Sequence, residues 1–347
     1  MQLFRFVLCL TLAAGATAAR ADTFENATRQ RETKFASVSF EFEVVDFVPK
    51  GMLGGKKELS RDAQTTARCK LILDGPRARY ENNQPLWSAS TGEFLNSPSV
   101  LVTDGHSSKL FFPKGISGSS APRAIVGGAN AEGFRSSVLT PLMMHCRGLS
   151  PALAPYVVTD FKRTEGSLTL GEHKCREYLR PGADGVTISV FVDDDAAVVG
   201  RRLRKLKNGN LVYQLDTQYE MSSAGLAPAS WKLTEYDDSG KLKLRREAKV
   251  LNFSYRSSVD AGEFQIDFPS GTQVFDQMTR KHFIAQGHEV MRETDAFGTD
   301  LGVEVVQPDA SWWRRYRSLV VWAVFGVGIL CCTIFWVRRR RGRRVAL

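Results

Sequence analysis

Two short clusters hold the side chains best suited to chemistry, His145-Cys146 and His173-x-Cys175. Imidazole and thiolate together suit a soft divalent metal. Such residues are more often ordinary half-buried positions, and no metal ligand is assigned. Asp193-Asp194-Asp195 offers carboxylates, but Ca²⁺ takes six or more oxygens, and an acidic triplet between two strands reads as a solvated hairpin turn. Gly115-Ile116-Ser117-Gly118-Ser119 approaches a nucleophile elbow and lacks its final glycine. His288-Glu289 has Arg292 where a zinc helix needs its second histidine, and Gly51-Met52-Leu53-Gly54-Gly55-Lys56 is followed by Lys57 rather than Ser or Thr. Asn26-Ala27-Thr28 and Asn252-Phe253-Ser254 fit a glycosylation sequon, which matters only in a eukaryotic secretory pathway. No catalytic residue and no cofactor is expected, and the chain is read as a binding protein rather than an enzyme.

The ends of the chain place it at a membrane. Ser318–Val337 is an uncharged run of twenty residues, which as a helix spans roughly 30 Å, the thickness of a hydrocarbon core. Trp312, Trp313, Tyr316 and Trp336 sit near its two interfaces. Six arginines between Arg338 and Arg344 outnumber Arg314, Arg315 and Arg317 on the other flank, which sets the C-terminus inside. At the other end Arg5, an apolar stretch from Phe6 to Ala14 and two A-x-A patterns, Ala16-Thr17-Ala18 and Ala19-Arg20-Ala21, have the layout of a secretory signal peptide. The expected organisation is a signal peptide over 1–21, an exported domain over 22–285, a stalk and juxtamembrane segment over 286–317, a transmembrane helix over 318–337 and a short basic cytoplasmic tail over 338–347. The protein is therefore expected in the inner membrane, with a single pass and a periplasmic domain.

Charge and cysteine content fit export. The chain carries 47 Lys+Arg against 37 Asp+Glu. Nine arginines lie in 311–347 and two in 1–21, so the exported part has 36 basic against 37 acidic groups and is nearly neutral. The basic excess belongs to topology, which removes the main support for a nucleic-acid partner. Outside the signal and the membrane run only Cys69, Cys146 and Cys175 remain, so at most one intramolecular disulfide can form. Cys146–Cys175 is the preferred pairing; three buried thiols are the alternative.

These residues must be positioned by strands. Asp22–Lys34 is polar and suits one short helix. From Val38 the pattern changes to period two, with Val38, Phe40, Phe42 and Val44 alternating with polar neighbours. Asp74-Gly75 and Asp104-Gly105 lie between apolar runs and predict hairpins, since the favoured two-residue turn needs positive φ. Strands are expected at Ala67–Leu73, Arg77–Tyr80, Val100–Thr103, Lys109–Phe112, Val157–Phe161, Lys174–Leu179, Val186–Val192, Ala197–Leu206, Leu211–Met221, Ser230–Tyr236 and Lys241–Tyr255. Leu139–Leu153 is the best internal helix, with Leu142, Met143 and Cys146 on one side. After Asp276 the pattern fades, and Gln286–Ala310 reads as a stalk. Many meandering strands with few helices predict a large antiparallel sheet that must curl or be covered.

Several local matches carry a family likeness. They are Leu101-Val102-Thr103-Asp104-Gly105, Phe191-Val192-Asp193, Trp231-Lys232-Leu233, Asp238-Ser239-Gly240-Lys241, Phe264, Phe268-Pro269, Gly271-Thr272 and Val274-x-Asp276. Over roughly residues 30–280 the chain resembles the LolA/LolB lipoprotein-carrier superfamily, which includes the RseB/MucB-type periplasmic regulators. The resemblance implies an unclosed, strongly curved half-barrel, mainly β in an α+β class, lidded by a few helices and enclosing an apolar cavity for acyl chains. LolA is soluble and LolB lipid-anchored, whereas this chain carries a C-terminal membrane helix, so a ferrying role does not transfer. None of the superfamily's cargo-contacting residues can be matched to this sequence.

Two functions follow as expectations. In the first, Val38, Phe40, Phe42 and Val44 line an apolar cavity that holds a lipid, an acyl chain or a lipoprotein. The bland alternative is that these side chains fill the core. In the second, the domain is an extracytoplasmic sensor that acts through a membrane-protein partner, because the tail is too short to signal by itself.

Overall fold

The alternation that begins at Val38 becomes a twelve-residue strand, and that strand organises the molecule. The computed structural model describes residues 23–306, apart from 54–57, 117–120, 129–131, 257–258, 288–289, 295–299 and positions 196, 207 and 224. The signal peptide, the transmembrane helix and the tail expected above lie outside the described residues. Among the described residues no helix is long and apolar enough to cross a membrane.

Helix α1 (Thr23–Lys34) leads into β1 (Ser37–Val48), β2 (Ala63–Asp74), β3 (Arg77–Asn82), and a separate small hairpin of β4 (Pro85–Ser88) and β5 (Glu93–Asn96). Next come β6 (Ser99–Thr103), β7 (Ser107–Phe112), β8 (Arg123–Gly128) and helix α2 (Thr140–Cys146). The second half runs through β9 (Lys162–Leu170), β10 (His173–Pro181), β11 (Thr187–Asp193), β12 (Val199–Lys205), β13 (Leu211–Ser222), β14 (Gly225–Tyr236) and β15 (Leu242–Tyr255). It finishes with β16 (Gln273–Asp276), β17 (Lys281–Gly287), β18 (Val290–Thr294) and β19 (Asp300–Val306). Seventeen of these strands form one sheet. Its spatial order is β9-β10-β11-β12-β13-β14-β15-β1-β2-β3-β6-β7-β8-β16-β17-β18-β19. Every pairing is antiparallel except β8–β16. The sheet is curved, and among the described residues no ladder joins β9 to β19, so it is unclosed.

Local chemistry explains the turns. Gly75 and Gly105 have φ of +54° and +90°, the left-handed region that both predicted Asp-Gly hairpins require. On β15 an extra residue opposes the Glu41/Phe42 step of β1. This bulge leaves Leu251 54% exposed while Val250 and Phe253 both pack against the main core.

The main core gathers one face of β1, β2, β3, β6, β13, β14 and β15 around α2. Both faces of the middle strands are covered. Leu71 and Leu73 belong to this core, while Ile72 between them packs on Val259 and Phe264 of the segment that follows β15. Likewise Leu101 faces the main core, and its neighbour Val102 joins Ile266, Phe268 and Val274 behind the sheet. A third cluster sets Phe24 of α1 against Ile188, Val190 and Val192 of β11.

Three expectations need correction. The 139–153 helix is confined to Thr140–Cys146, and Gly148 follows closely. A Cβ at Gly148 would lie 2.7 Å from Met144 O and 2.9 Å from Thr28 Cγ2, so only glycine lets α1 and α2 approach there. Val157–Phe161 is not a strand but a 3₁₀ turn at Val158–Asp160, because Val158 and Phe161 both turn into the third cluster. The expected stalk contains β18 and β19, which pair with each other and continue the sheet to Val306. The fading pattern there has a physical source: β18 carries Arg292, Glu293 and Thr294 in a row.

Candidate functional site

The inward row of β1 defines the concave side. Val38, Phe40, Phe42 and Val44 are all between 0 and 2% exposed and belong to the main core. Phe42 lies 5.4 Å from Trp231 and is stacked on Tyr80 at 6.4 Å, and Phe40 lies 5.0 Å from Phe253. None of the four lines the cavities described below; each is packed against neighbouring side chains. The inward row is covered by α2, all seven of whose residues are buried. Leu142, Met143 and Cys146 face the main core, as their spacing predicts, while Met144 joins the α1 cluster.

Polar locks hold the two ends of this row. The next inward position after Val44 is Asp46, directly opposite Arg246 of β15. Arg246 donates from Nε and Nη2 to the two Asp46 oxygens at 2.5 and 2.6 Å, and from Nη1 to Ser137 Oγ at 3.1 Å. Gln84 Nε2 adds a bond to Asp46 at 2.5 Å. Burial works to lower the Arg246 pKa, but the bonds to Asp46 and its charge outweigh it and hold the guanidinium above its ordinary value. At the other end Arg147, just past α2, donates to four backbone carbonyls: Gly75 at 2.9 Å, Phe35 at 2.8 Å, Cys146 at 2.6 Å and Ala36 at 2.7 Å. Arg147 thereby ties the end of α2 to the α1–β1 connection and to the β2–β3 hairpin. Its charge rests on carbonyl dipoles, and burial lowers its pKa.

A small cavity lies beside α2. It has a volume of about 10 Å³ and is lined by side chains of α1, α2, β12 and β13, among them Arg31, His145, Arg202 and Tyr219. His145 is 3% exposed, 4.8 Å from Phe35 and 5.5 Å from Tyr219. Burial, reinforced by the Arg31 charge and opposed by a bond to the Leu226 backbone, pushes its pKa down to about 3. Tyr219 donates its hydroxyl to Val199 O at 3.1 Å, and burial raises its pKa. A second, apolar groove of about 290 Å³ overlies the parallel β8–β16 seam, with Ile125, Val274 and Phe283 in its lining.

The sequence-predicted chemistry does not assemble. Among the described residues no group of three or more His, Cys, Asp or Glu side chains is placed to hold a metal. His173 Nδ1 pairs with Asp193 Oδ2 at 2.6 Å, whereas Cys146 belongs to the main core. The expected Cys146–Cys175 disulfide is not formed: Cys69, Cys146 and Cys175 are all free and buried. Cys146, the last residue of α2, is packed inside the main core, whereas Cys175 lies at the start of β10 beside Gly200 and the His173 carbonyl. Burial pushes the Cys146 thiol up to about 12 and the thiols of Cys69 and Cys175 up to about 11. Reasoning from sequence missed Asp46, Arg147 and the Arg31–Arg202 pair. Asp46 was findable, since it continues the inward period of β1; the arginines carry no local signal.

No family model and no curated protein matches the chain. Solved structures do. A DUF1329-family protein from Desulfovibrio piger is 11% identical, covering 71% of this chain and 97% of its own, with a TM-score of 0.44. An outer-membrane lipoprotein-sorting protein domain from Vibrio parahaemolyticus is 8% identical, covering 72% and 97%, at 0.45. A LolA superfamily protein from Nitrosomonas europaea is 11% identical, covering 71% and 99%, at 0.41. The third is named for the superfamily that the sequence resembles. At such identities and TM-scores these likenesses transfer neither function nor residue roles.

Proposed function

We propose that this chain is a membrane-tethered, extracytoplasmic binding protein that takes a lipid, an acyl chain or a lipoprotein into the concave side of its half-barrel. The observation that carries this reading is the cover of that side. The apolar inner faces of seven strands are closed by a seven-residue helix with no side-chain N-cap, rather than by a second sheet. Withdrawal of α2 opens a trough floored by Phe40, Phe42, Leu71, Tyr80, Trp231 and Leu233. An acyl chain entering it replaces the apolar contacts of α2, at roughly 0.8 kcal/mol per CH₂ buried. The tether is the run Ser318–Val337.

The test is uptake of a fluorescent fatty acid by residues 22–310. Saturable, displaceable binding that tightens with chain length supports the reading, and Phe42→Asp should weaken it in protein checked for folding. Salt should have little effect, because the exported part is nearly neutral. Failure to take up any chain length by folded protein would move the reading to a protein partner. One observation favours that second reading: among the described residues β9 pairs only with β10, so an edge is available for strand addition. Protease added to spheroplasts should digest the domain and spare a C-terminal tag; digestion of the tag would refute the topology.

A further inference from the structure

One row of side chains crosses the inner face of the sheet from Arg202 of β12 to Asp46 of β1. Arg202 lies opposite Leu215, Leu215 opposite Leu233, Leu233 opposite Arg246, and Arg246 opposite Asp46. Residues directly opposite on neighbouring strands share a face, and Leu215 and Leu233 belong to the main core, so the row is part of the face that α2 covers. The charge at one end is matched, because Arg246 is paired with Asp46. At the other end it is not. Arg202 is 6% exposed, its guanidinium lies 4.5 Å from the Tyr156 ring centroid and 4.6 Å from that of Tyr213, and among the described residues its buried Nε has no partner. Arg31 of α1, which lines the same small cavity, donates to Ala197 O at 2.8 Å and to Thr28 Oγ1 at 2.9 Å, and its Nε is likewise without a partner. Among the described residues neither arginine has a carboxylate within ion-pair distance. Trp231, two residues before Leu233 on the same face, adds a third buried donor without an acceptor, its Nε1.

Three unmatched donors, two of them cationic, thus border an apolar bed, and burial of a guanidinium is costly unless an opposite charge accompanies it. We propose that the ligand of the half-barrel is an acyl amphiphile with an anionic oxygen head, a carboxylate or a phosphate, seated against Arg202 and Arg31 with its chain over Leu215 and Leu233. The inference rests on the lipid reading above and narrows it, since a neutral acyl chain leaves both guanidinium groups unmatched. With α2 in place the space beside these arginines is about 10 Å³, room for one water at most, so the head is seated only when α2 has withdrawn. The same movement that bares the trough then joins it to the arginines, because His145, Met144 and Pro141 of α2 form part of the wall between them and solvent. A pair buried in this way is screened little by salt, in keeping with the weak salt dependence expected above.

The experiment uses the full chain in phosphatidylcholine nanodiscs. Uptake of radiolabelled dodecanoate, dodecyl phosphate and dodecan-1-ol is measured by equilibrium dialysis against empty nanodiscs. At equal chain length either anion should bind about tenfold or more tighter than the alcohol, through charge-assisted bonds to the arginines. The preference should vanish in Arg202→Gln and persist in Arg201→Gln, whose native arginine is already paired with Asp216. A tighter phosphate assigns a phospholipid source and a tighter carboxylate a free fatty acid; either supports the site. Equal binding of all three, or a preference kept in Arg202→Gln, would overturn the anionic head and leave the lipid reading standing. No saturable uptake of any of them overturns both. Should Arg202→Gln fail to fold, Arg31→Gln must lower the preference instead, and the ratio of anion to alcohol in the unaltered chain decides by itself whether the head is anionic.

Discussion

Acidification should destabilise this protein through a single buried imidazole. His145 is neutral in the folded chain, with a pKa of about 3, against roughly 6.5 when unfolded. Between those values the unfolded state binds the extra proton, so stability rises with pH and is lost as pH falls. Each pH unit inside that window is worth about 1.4 kcal/mol, and a fall from pH 6.5 to pH 5 should remove about 2 kcal/mol through His145 alone. The assay is urea unfolding of residues 22–310 at half-unit steps from pH 7 to pH 4.5, beside His145→Phe. Phenylalanine keeps a ring against Phe35 and Tyr219 but cannot titrate, and groups common to both proteins cancel in the difference between their slopes. The variant loses the bond to the Leu226 backbone, so its absolute stability is expected to be lower while its pH dependence is flatter. Parallel curves for the two proteins would refute the reasoning, because burial of a neutral His145 requires them to converge toward low pH.

Other outcomes follow from single contacts. Arg246→Met strands Asp46 in the interior and should cost about 3–5 kcal/mol in urea unfolding; adding Asp46→Leu should recover most of that loss. Gly148→Ala forces α1 and α2 apart and should cost about 1–3 kcal/mol, read as a lowered urea midpoint with an unchanged slope. In residues 22–310, Cys69, Cys146 and Cys175 should resist a thiol reagent while folded and all react after unfolding; mass-spectrometric detection of a Cys146–Cys175 bridge would contradict the free, separated thiols.

Strand identity was legible wherever one face is buried and the other wet. Val38 to Val44 announced β1, and the Asp-Gly pairs announced two hairpins, because period two and positive φ are written in single residues. The run Leu71-Ile72-Leu73 was legible as a strand but not as one buried on both faces, since that depends on Val259 and Phe264, far away in the chain. The 3₁₀ turn at Val158 failed for a similar reason: a short apolar run does not state its own period. Of the site, the inward row of β1 could be read in advance, yet its packed state could not. Whether Phe42 lines a cavity or fills a core is decided by where α2 sits, and that rests partly on carbonyls of Phe35, Ala36 and Gly75 that any residue could supply. Arg31 and Arg202 line one cavity from α1 and from β12, and no spacing in the sequence relates them.

The pairing of β1 with β15 has a consequence for how this chain comes into being. Val38 lies opposite Tyr255 and Phe47 opposite Arg245, so the first strand made is joined on one side to a strand about 200 residues downstream. A chain that emerges N-terminus first can form the β1–β2–β3 hairpins at once. The other flank of β1 stays an open template until residue 255 has arrived. During that interval Phe40 and Phe42 face no β14 or β15, and the row that becomes the best-buried part of the protein is its most exposed hazard. Assembly of this half-barrel therefore waits on two late joins, β15 to β1 and β16 to β8. It is slow by topology, and it asks the surroundings to protect one strand until its last partner is delivered.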